Sequence, residues 1–401
     1  MPGPSPTPVE LLERLVAFDT TSAKSNLALI EFAAEYLAGH GIRARLIHNE
    51  DKTKANLFAT VGPEADGGVV LSGHTDVVPV TGQAWDSDPF RVVEREGRLH
   101  GRGTADMKGF IATALALVPE MRRGRLARPI HFALSYDEEV GCLGAPAMIA
   151  EFGRSLPRPA LAIVGEPTEM EVANAHKGAY GFESVVTGLE AHSSATHRGV
   201  SAIAYAADII RHMGALAAEM RIRAEQAAEA GDAPLLLDPP YATLSVGMIE
   251  GGTALNIIPR RCRFTWDCRL LPSQPAEQVP ERVRAFVEAD VLPRMRATFP
   301  EATVETRALY AVPALAPEPG SPAETLALRL AGRNRATAVA FGSEAGQFQA
   351  AGIPTVLCGP GSIREAHKPN EFVEAAQLES CARFLSRLIA WARGSDQGPN
   401  V

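Results

Sequence analysis

Val69-Val70-Leu71-Ser72-Gly73-His74-Thr75-Asp76 is an apolar run that stops at two residues able to bind a cation. Short apolar runs bounded by glycine or charge read as buried strands. Asn56–Val61, Ile130–Ser135 and Leu161–Val164 have the same form. Helical spacing falls around them, at Leu11, Leu12, Leu15 and Val16, over Leu27–Ala38 and over Met107–Leu117. This alternation predicts an α/β domain with a mostly parallel sheet.

From about Ala179 the texture changes. Gly181–Thr187 alternates like a half-exposed strand, and a long helix follows from Ser201 to Ala230. Strand candidates Ala242–Ile249 and Arg263–Leu270, a helix Pro280–Asp290 and a strand Thr303–Leu309 complete the order β-α-β-β-α-β. That order predicts a ferredoxin-like α+β unit. After Pro313 the first texture returns, with helix Ala323–Ala331, strand Thr355–Cys358 and helix Ala375–Trp391. A chain of 401 residues exceeds what one core usually serves. The expected division is therefore residues 1–178 plus 313–401 as one domain, with 179–312 inserted.

The candidate chemistry sits where the strands of the first domain end. His74 and Asp76 follow Val69–Ser72, and Glu138 and Glu139 follow Ile130–Ser135. Glu166 follows Leu161–Val164, His367 follows Thr355–Cys358, and Asp106 opens the helix at Met107. Taken singly, a His or Asp after a strand is more often a turn or cap residue. Ligands of open parallel sheets, however, bind beyond the carboxyl ends of the strands, so all these residues converge on one rim. His with carboxylates suits zinc, cobalt or manganese. Two His and three carboxylates exceed one tetrahedral zinc and fit two ions about 3.5–4 Å apart sharing a carboxylate. Such ions lower the pKa of a bound water, and a free carboxylate must move its proton. Glu138 is placed for that, and Asp76 is placed to accept the other ring N–H of His74.

Other mechanisms fit less well. The chain has no His-Glu-x-x-His helix and no Gly-x-Ser-x-Gly elbow. Gly101-Arg-Gly103-Thr-Ala-Asp106 starts like a dinucleotide fingerprint but has Asp where the last Gly belongs. A net charge of −8 argues against nucleic-acid or anionic-membrane partners. No apolar run reaches transmembrane length. Cys142, Cys262, Cys268, Cys358 and Cys381 are scattered and read as reduced packing thiols of a cytoplasmic protein.

Ser72-Gly-His74-Thr-Asp76-Val-Val-Pro-Val, Trp85-Asp-Ser-Asp-Pro-Phe90 and Gly101-Arg-Gly-Thr-Ala-Asp106-Met-Lys-Gly109 together resemble the M20 metallopeptidase family. Ser135-Tyr-Asp-Glu138-Glu139-Val-Gly141 and Gly165-Glu166-Pro-Thr extend the resemblance along the chain. It implies a zinc-peptidase-like catalytic domain in which His74 and Glu166 bind one metal ion, Glu139 and His367 the other, and Asp106 both. The ions implied are Zn2+, or Co2+. Glu138 is then the general acid/base and Asp76 the partner of His74. The inserted domain matches a lid and dimerisation domain, implying a homodimer. In Ala191-His192-Ser193-Ser194, His192 matches a residue that stabilises the oxyanion in a neighbouring active site.

Within the family, three segments resemble the acetylornithine deacetylase branch: Cys358-Gly-Pro-Gly-Ser-Ile-Arg-Glu-Ala-His367-Lys-Pro, Phe341-Gly-Ser343-Glu344-Ala-Gly-Gln-Phe348 and Gly251-Gly-Thr-Ala-Leu-Asn256-Ile-Ile-Pro259. Ser343 stands where Thr is common. The implied reaction is hydrolysis of N2-acetyl-L-ornithine, a step of arginine biosynthesis. Sibling activities are an aminoacylase, a succinyl-diaminopimelate desuccinylase and a glutamate carboxypeptidase. Arg269 is a candidate for the substrate carboxylate, Asn256 for that carboxylate or the oxyanion, and Glu344 for an ornithine ammonium.

Overall fold

The computed structural model describes residues 5–229 and 237–394. The chain divides into two compact units. One gathers residues up to Ala175, Pro317–Thr337 and those from Ser343 onward; the other holds His176–Ala316 and Ala338–Gly342.

The larger unit is built on an eight-stranded sheet. Strand Val69–His74 lies between Ile130–Ser135 and Leu161–Pro167, parallel to both. Thr355–Gly359 continues the parallel set beyond Leu161–Pro167. Every residue of these four strands is buried, which is why each is an unbroken apolar run rather than an alternating one. Helices Pro8–Val16, Gly109–Ala116 and Ala375–Ala392 pack together in the same hydrophobic core.

The expected mostly parallel sheet is in fact mixed. Ala55–Val61 joins Ile130–Ser135 antiparallel, and Ala44–His48 joins Ala55–Val61 antiparallel. The connection at 49–54 is far shorter than the dozen or so residues a parallel crossover needs, so the chain can only turn back. Ala173–His176 also pairs antiparallel with Thr355–Gly359. A separate small sheet joins Val93–Arg95, Arg98–His100 and Phe372–Glu374.

The second unit carries a four-stranded antiparallel sheet. Gly178–Thr187 sits between Arg261–Leu270 and Thr303–Val312, and Thr243–Gly251 forms the outer edge beside Arg261–Leu270. Helix Ala202–Glu229 buries Ala206, Ile209, Met213 and Leu216 with Phe264, Trp266 and Cys268 of the sheet. The end expected for this helix, Ala230, lies outside the described residues. The helix Gln278–Phe286 and the turns after it add Val283, Val287 and Val291 to this core.

Candidate metal centre

Four ligand-type side chains leave the parallel strands at their carboxyl ends, and a fifth comes from a turn. His74 is the last residue of its strand, and its Nε2 lies 3.0 Å from Asp106 Oδ1. His367 Nε2 is 3.3 Å from Asp106 Oδ2 and 2.9 Å from Glu139 Oε2. One ligand atom from each of His74, Asp106 and Glu139 lies within 4.8 Å of the others, a group able to hold a metal ion. Glu166 is the buried penultimate residue of strand Leu161–Pro167, and its Oε1 has no hydrogen-bond partner. A buried carboxylate oxygen without a partner is costly unless a cation meets it.

Asp106 does not open a helix, as the sequence suggested. Its backbone is extended (φ −121°, ψ 91°), and the helix begins at Gly109. The N–H groups of Ala105 and Asp106 turn instead to the Glu371 carboxylate, at 2.9 and 3.1 Å.

The electrostatics show how acidic the cluster is. Burial pushes Glu138 up to about 8, with Glu139, Asp106 and Asp76 adding to the rise and His74 opposing it. Burial lifts Glu139 to about 7, helped by Asp106. Burial and the charges of Glu138 and Asp106 raise Glu166 well above the carboxylate range. Burial alone would raise Asp106, yet hydrogen bonds from His367 and His74 hold it below its usual value. Hydrogen bonds to Asp106 and Glu139 raise His367 to about 10. Burial works against charge on His74, but Asp106 outweighs it and raises that imidazole too. Carboxylates this crowded call for positive charge among them, and a divalent ion is the direct way to supply it. The donor set and the orphaned Glu166 oxygen therefore fit a metal.

Asp76 holds more than its sequence position implied. His74 Nδ1 lies 2.9 Å from the backbone carbonyl of Asp76, while the Asp76 carboxylate is 3.7 Å away. That carboxylate instead accepts from the backbone N–H groups of Glu138 and Glu139, at 3.1 and 3.3 Å, and from Ser22. It thereby fixes the turn that carries both glutamates. Lys54 pairs with Asp137 just before them, and the Cys142 thiol donates to Glu138 Oε1 at 3.2 Å. Ser343 is buried, and its hydroxyl accepts from the Ala345 N–H. Glu344 is fully buried and accepts from the hydroxyls of Ser72 and Ser135, on neighbouring strands beneath the cluster.

Sequence reading missed Glu371, Arg102, Gln83 and Lys54. A lone glutamate in Lys-Pro-Asn-Glu371 carries no local signal, because its partners lie far back in the chain.

In the second unit, His192 is exposed, and its Nδ1 meets the Ser194 hydroxyl at 2.8 Å. Its segment pairs with that of Asn256: His192 bridges Ile257, and Ser193 N–H donates to the Asn256 carbonyl at 3.0 Å. Arg269 Nε donates to Asp267 at 2.7 Å. The five cysteines are all buried and free.

Residues 70–391 match Peptidase family M20/M25/M40. This chain belongs to the M20 peptidase family. It is a metal-dependent amidohydrolase of that family. Curated relatives match it over nearly their whole length. An acetylornithine deacetylase of Myxococcus xanthus is 36% identical over 391 residues, covering 94% of this chain and 96% of the relative. One of Pasteurella multocida (strain Pm70) is 33% identical over 394 residues, covering 96% and 97%. Among solved structures, the M20 family metallo-carboxypeptidase Sso-CP2 of Sulfolobus solfataricus superposes with a TM-score of 0.75 at 18% identity, covering 96% of this chain and 99% of that one. The Bacillus subtilis YXEP protein, described as a dinuclear metal-binding M20 peptidase, gives 0.63 at 16% identity over 97% and 99%. At such identities the likeness shows the M20 fold alone. Among the described residues, no helix is long and apolar enough to cross a membrane.

Proposed function

We propose that this chain hydrolyses the amide of N2-acetyl-L-ornithine, releasing L-ornithine and acetate, in the cytoplasm and within arginine biosynthesis. The chemistry rests on one observation: two imidazoles and two carboxylates gather around Asp106, with a further carboxylate, Glu138, beside them. The substrate rests on the acetylornithine deacetylases that match nearly end to end.

In this reading His74 and Glu166 hold one divalent ion, Glu139 and His367 the other, and Asp106 both, with Zn2+ or Co2+ as the metal. The ions supply Lewis acidity and a water of lowered pKa. Glu138 takes a proton from the attacking water and delivers one to the leaving nitrogen. Burial raises its hold on that proton, while cations beside it would pull the other way and keep it able to accept one. Asp76 keeps the Glu138–Glu139 turn in place. Arg269 binds the substrate carboxylate, and Asn256 that carboxylate or the oxyanion. Ser343, fully buried with its hydroxyl on the Ala345 N–H, is better placed to hold the turn at Glu344 than to meet substrate. Glu344, enclosed with Ser72 and Ser135, is better placed to brace the strands than to meet an ammonium.

The 179–312 segment acts as lid and dimerisation domain. Its outer strand Thr243–Gly251 leaves Met248 and Ile249 exposed at 61% and 55%, and the loop after it leaves Leu255 fully exposed. An uncovered sheet edge with apolar side chains suits a second copy of the chain. In that homodimer His192 serves the neighbouring subunit's site.

The test is initial rates on acetylornithine, acetylmethionine, succinyl-diaminopimelate and a folate-type glutamate conjugate, before and after chelation. Acetylornithine should be preferred, and zinc or cobalt should restore the activity that chelation abolishes. Full activity in a verified apo protein would end the metal reading. Preference for another acyl amino acid would end the substrate assignment alone.

A further inference from the structure

Glu371 is 1% exposed and satisfies four donors with its two oxygens. Oε2 accepts from Arg102 Nη1 at 2.6 Å and Gly103 N–H at 3.0 Å. Oε1 accepts from the N–H groups of Ala105 and Asp106. The buried carboxylate thus holds the backbone on which Asp106 is mounted, in the extended form that points its side chain at both histidines.

The network continues to a second ligand. Arg102, also 1% exposed, stands over the Trp85 ring and donates from Nη2 to Gln83 Oε1 at 2.6 Å. Gln83 Nε2 donates to the His367 carbonyl at 2.8 Å. His367 has φ +64°, a left-handed conformation that a side chain other than glycine keeps only when its surroundings impose it. Phe372 pairs with His100, and Gly101 N–H donates to the Glu371 carbonyl at 2.9 Å, so the two segments are also joined through their backbones.

We propose that Glu371 is a positioning residue which, through Arg102 and Gln83, fixes Asp106 relative to His367 and so governs occupancy of the metal site those two ligands share with Glu139. The inference rests on the two-ion reading above. Glu371 reaches neither ion; its effect passes through the backbone of one ligand and the carbonyl of the other. Partners of this kind beyond the ligands change metal affinity by roughly 10- to 100-fold when lost.

The experiment is a Co2+ titration of apo protein, followed by visible absorption and by competition with a chelator. Glu371→Gln keeps the volume, but its amide nitrogen cannot accept a hydrogen bond, so donors on one side lose their partner. Gln83→Ala removes the tie to His367 together with the acceptor that Arg102 and Trp85 share, leaves Glu371 and its four donors in place, and keeps the test open if the first variant folds poorly. Wild type should take two equivalents. Gln83→Ala should keep one at wild-type affinity, bind the other about 10-fold or more weakly, and show a changed absorption band for it. Glu371→Gln should weaken that same equivalent at least as much and the other by less, because Asp106 serves both. Wild type taking fewer than two equivalents would overturn the two-ion reading itself. Two equivalents in wild type with unchanged affinities in both variants would overturn the positioning role. An equal loss of both equivalents with a lowered apo Tm would reduce Glu371 to general support and overturn it too.

Discussion

Glu138 and Glu139 are joined by one peptide bond, and Asp76 holds both of their N–H groups, yet their side chains face different partners. Glu139 meets His367, whereas Glu138 meets the Cys142 thiol. Glu138→Ala should therefore leave metal content near wild type and lower kcat at least about 10²-fold, the scale of a lost general acid/base. Glu139→Ala should release part of the metal. Elemental analysis alongside kinetics checks the pair, and exchanged phenotypes would refute the assignment. His131, away from the cluster, makes a separate prediction. Burial lowers it to about 4 from an ordinary 6.5. Its folded form resists the proton that the unfolded chain accepts, so its contribution is complete above about pH 6.5 and lost as pH falls towards 4. That loss is roughly 3 kcal/mol. His131→Gln should lose less Tm than wild type between pH 7 and 4.5; parallel melting curves would remove His131 as a cause of acid lability.

Between elements, strand Leu161–Pro167 and helix Gly109–Ala116 approach closely. A Cβ on Gly165 would lie 2.0 Å from Phe110 Cγ, inside a buried ring. Gly165→Ala should cost about 3 kcal/mol, the upper part of the overpacking range, and a urea melt measures it. Unchanged stability would mean that the helix can withdraw at no cost. The same elements show how far the sequence could be read. Buried central strands announce themselves as apolar runs, and the ligands at their ends are placed by that fact alone. Edge strands do not: Ala44-Arg-Leu-Ile-His48 is half exposed and has no clear period. The start of the helix after Asp106 was hidden for another reason, since the group that captures the Ala105 and Asp106 N–H donors is Glu371, remote in sequence. Asp76 was recognised, but its use of backbone N–H donors depends on a turn that only the folded chain defines.

For the whole molecule, the expectation concerns shared sites. Oxyanion stabilisation requires a donor placed where charge develops, and removing one costs about 10²–10³ in kcat. His192→Ala and Glu138→Ala should each be nearly inactive. Unfolded together and refolded in equal amounts, random pairing makes about half the dimers mixed. One site in each mixed dimer then has both groups, so activity should return to about a quarter of wild type. Mass-verified mixed dimers without recovery would reject the sharing and leave the metal chemistry standing.

The order in which the ligands leave the ribosome has its own consequence. His74, Asp106, Glu139 and Glu166 all precede the unit that begins at His176, whereas strand Thr355–Gly359 and His367 follow it. During synthesis the nascent chain therefore carries an unfinished, strongly acidic pocket while an entire second unit is made. The flank of Leu161–Pro167 that Thr355–Gly359 will cover stays open for the same interval. A polypeptide interrupted before residue 355 keeps every ligand but one and still lacks both the closing strand and its histidine. In the two-ion reading, a chain that has not yet passed residue 367 would hold metal less tightly than the finished protein.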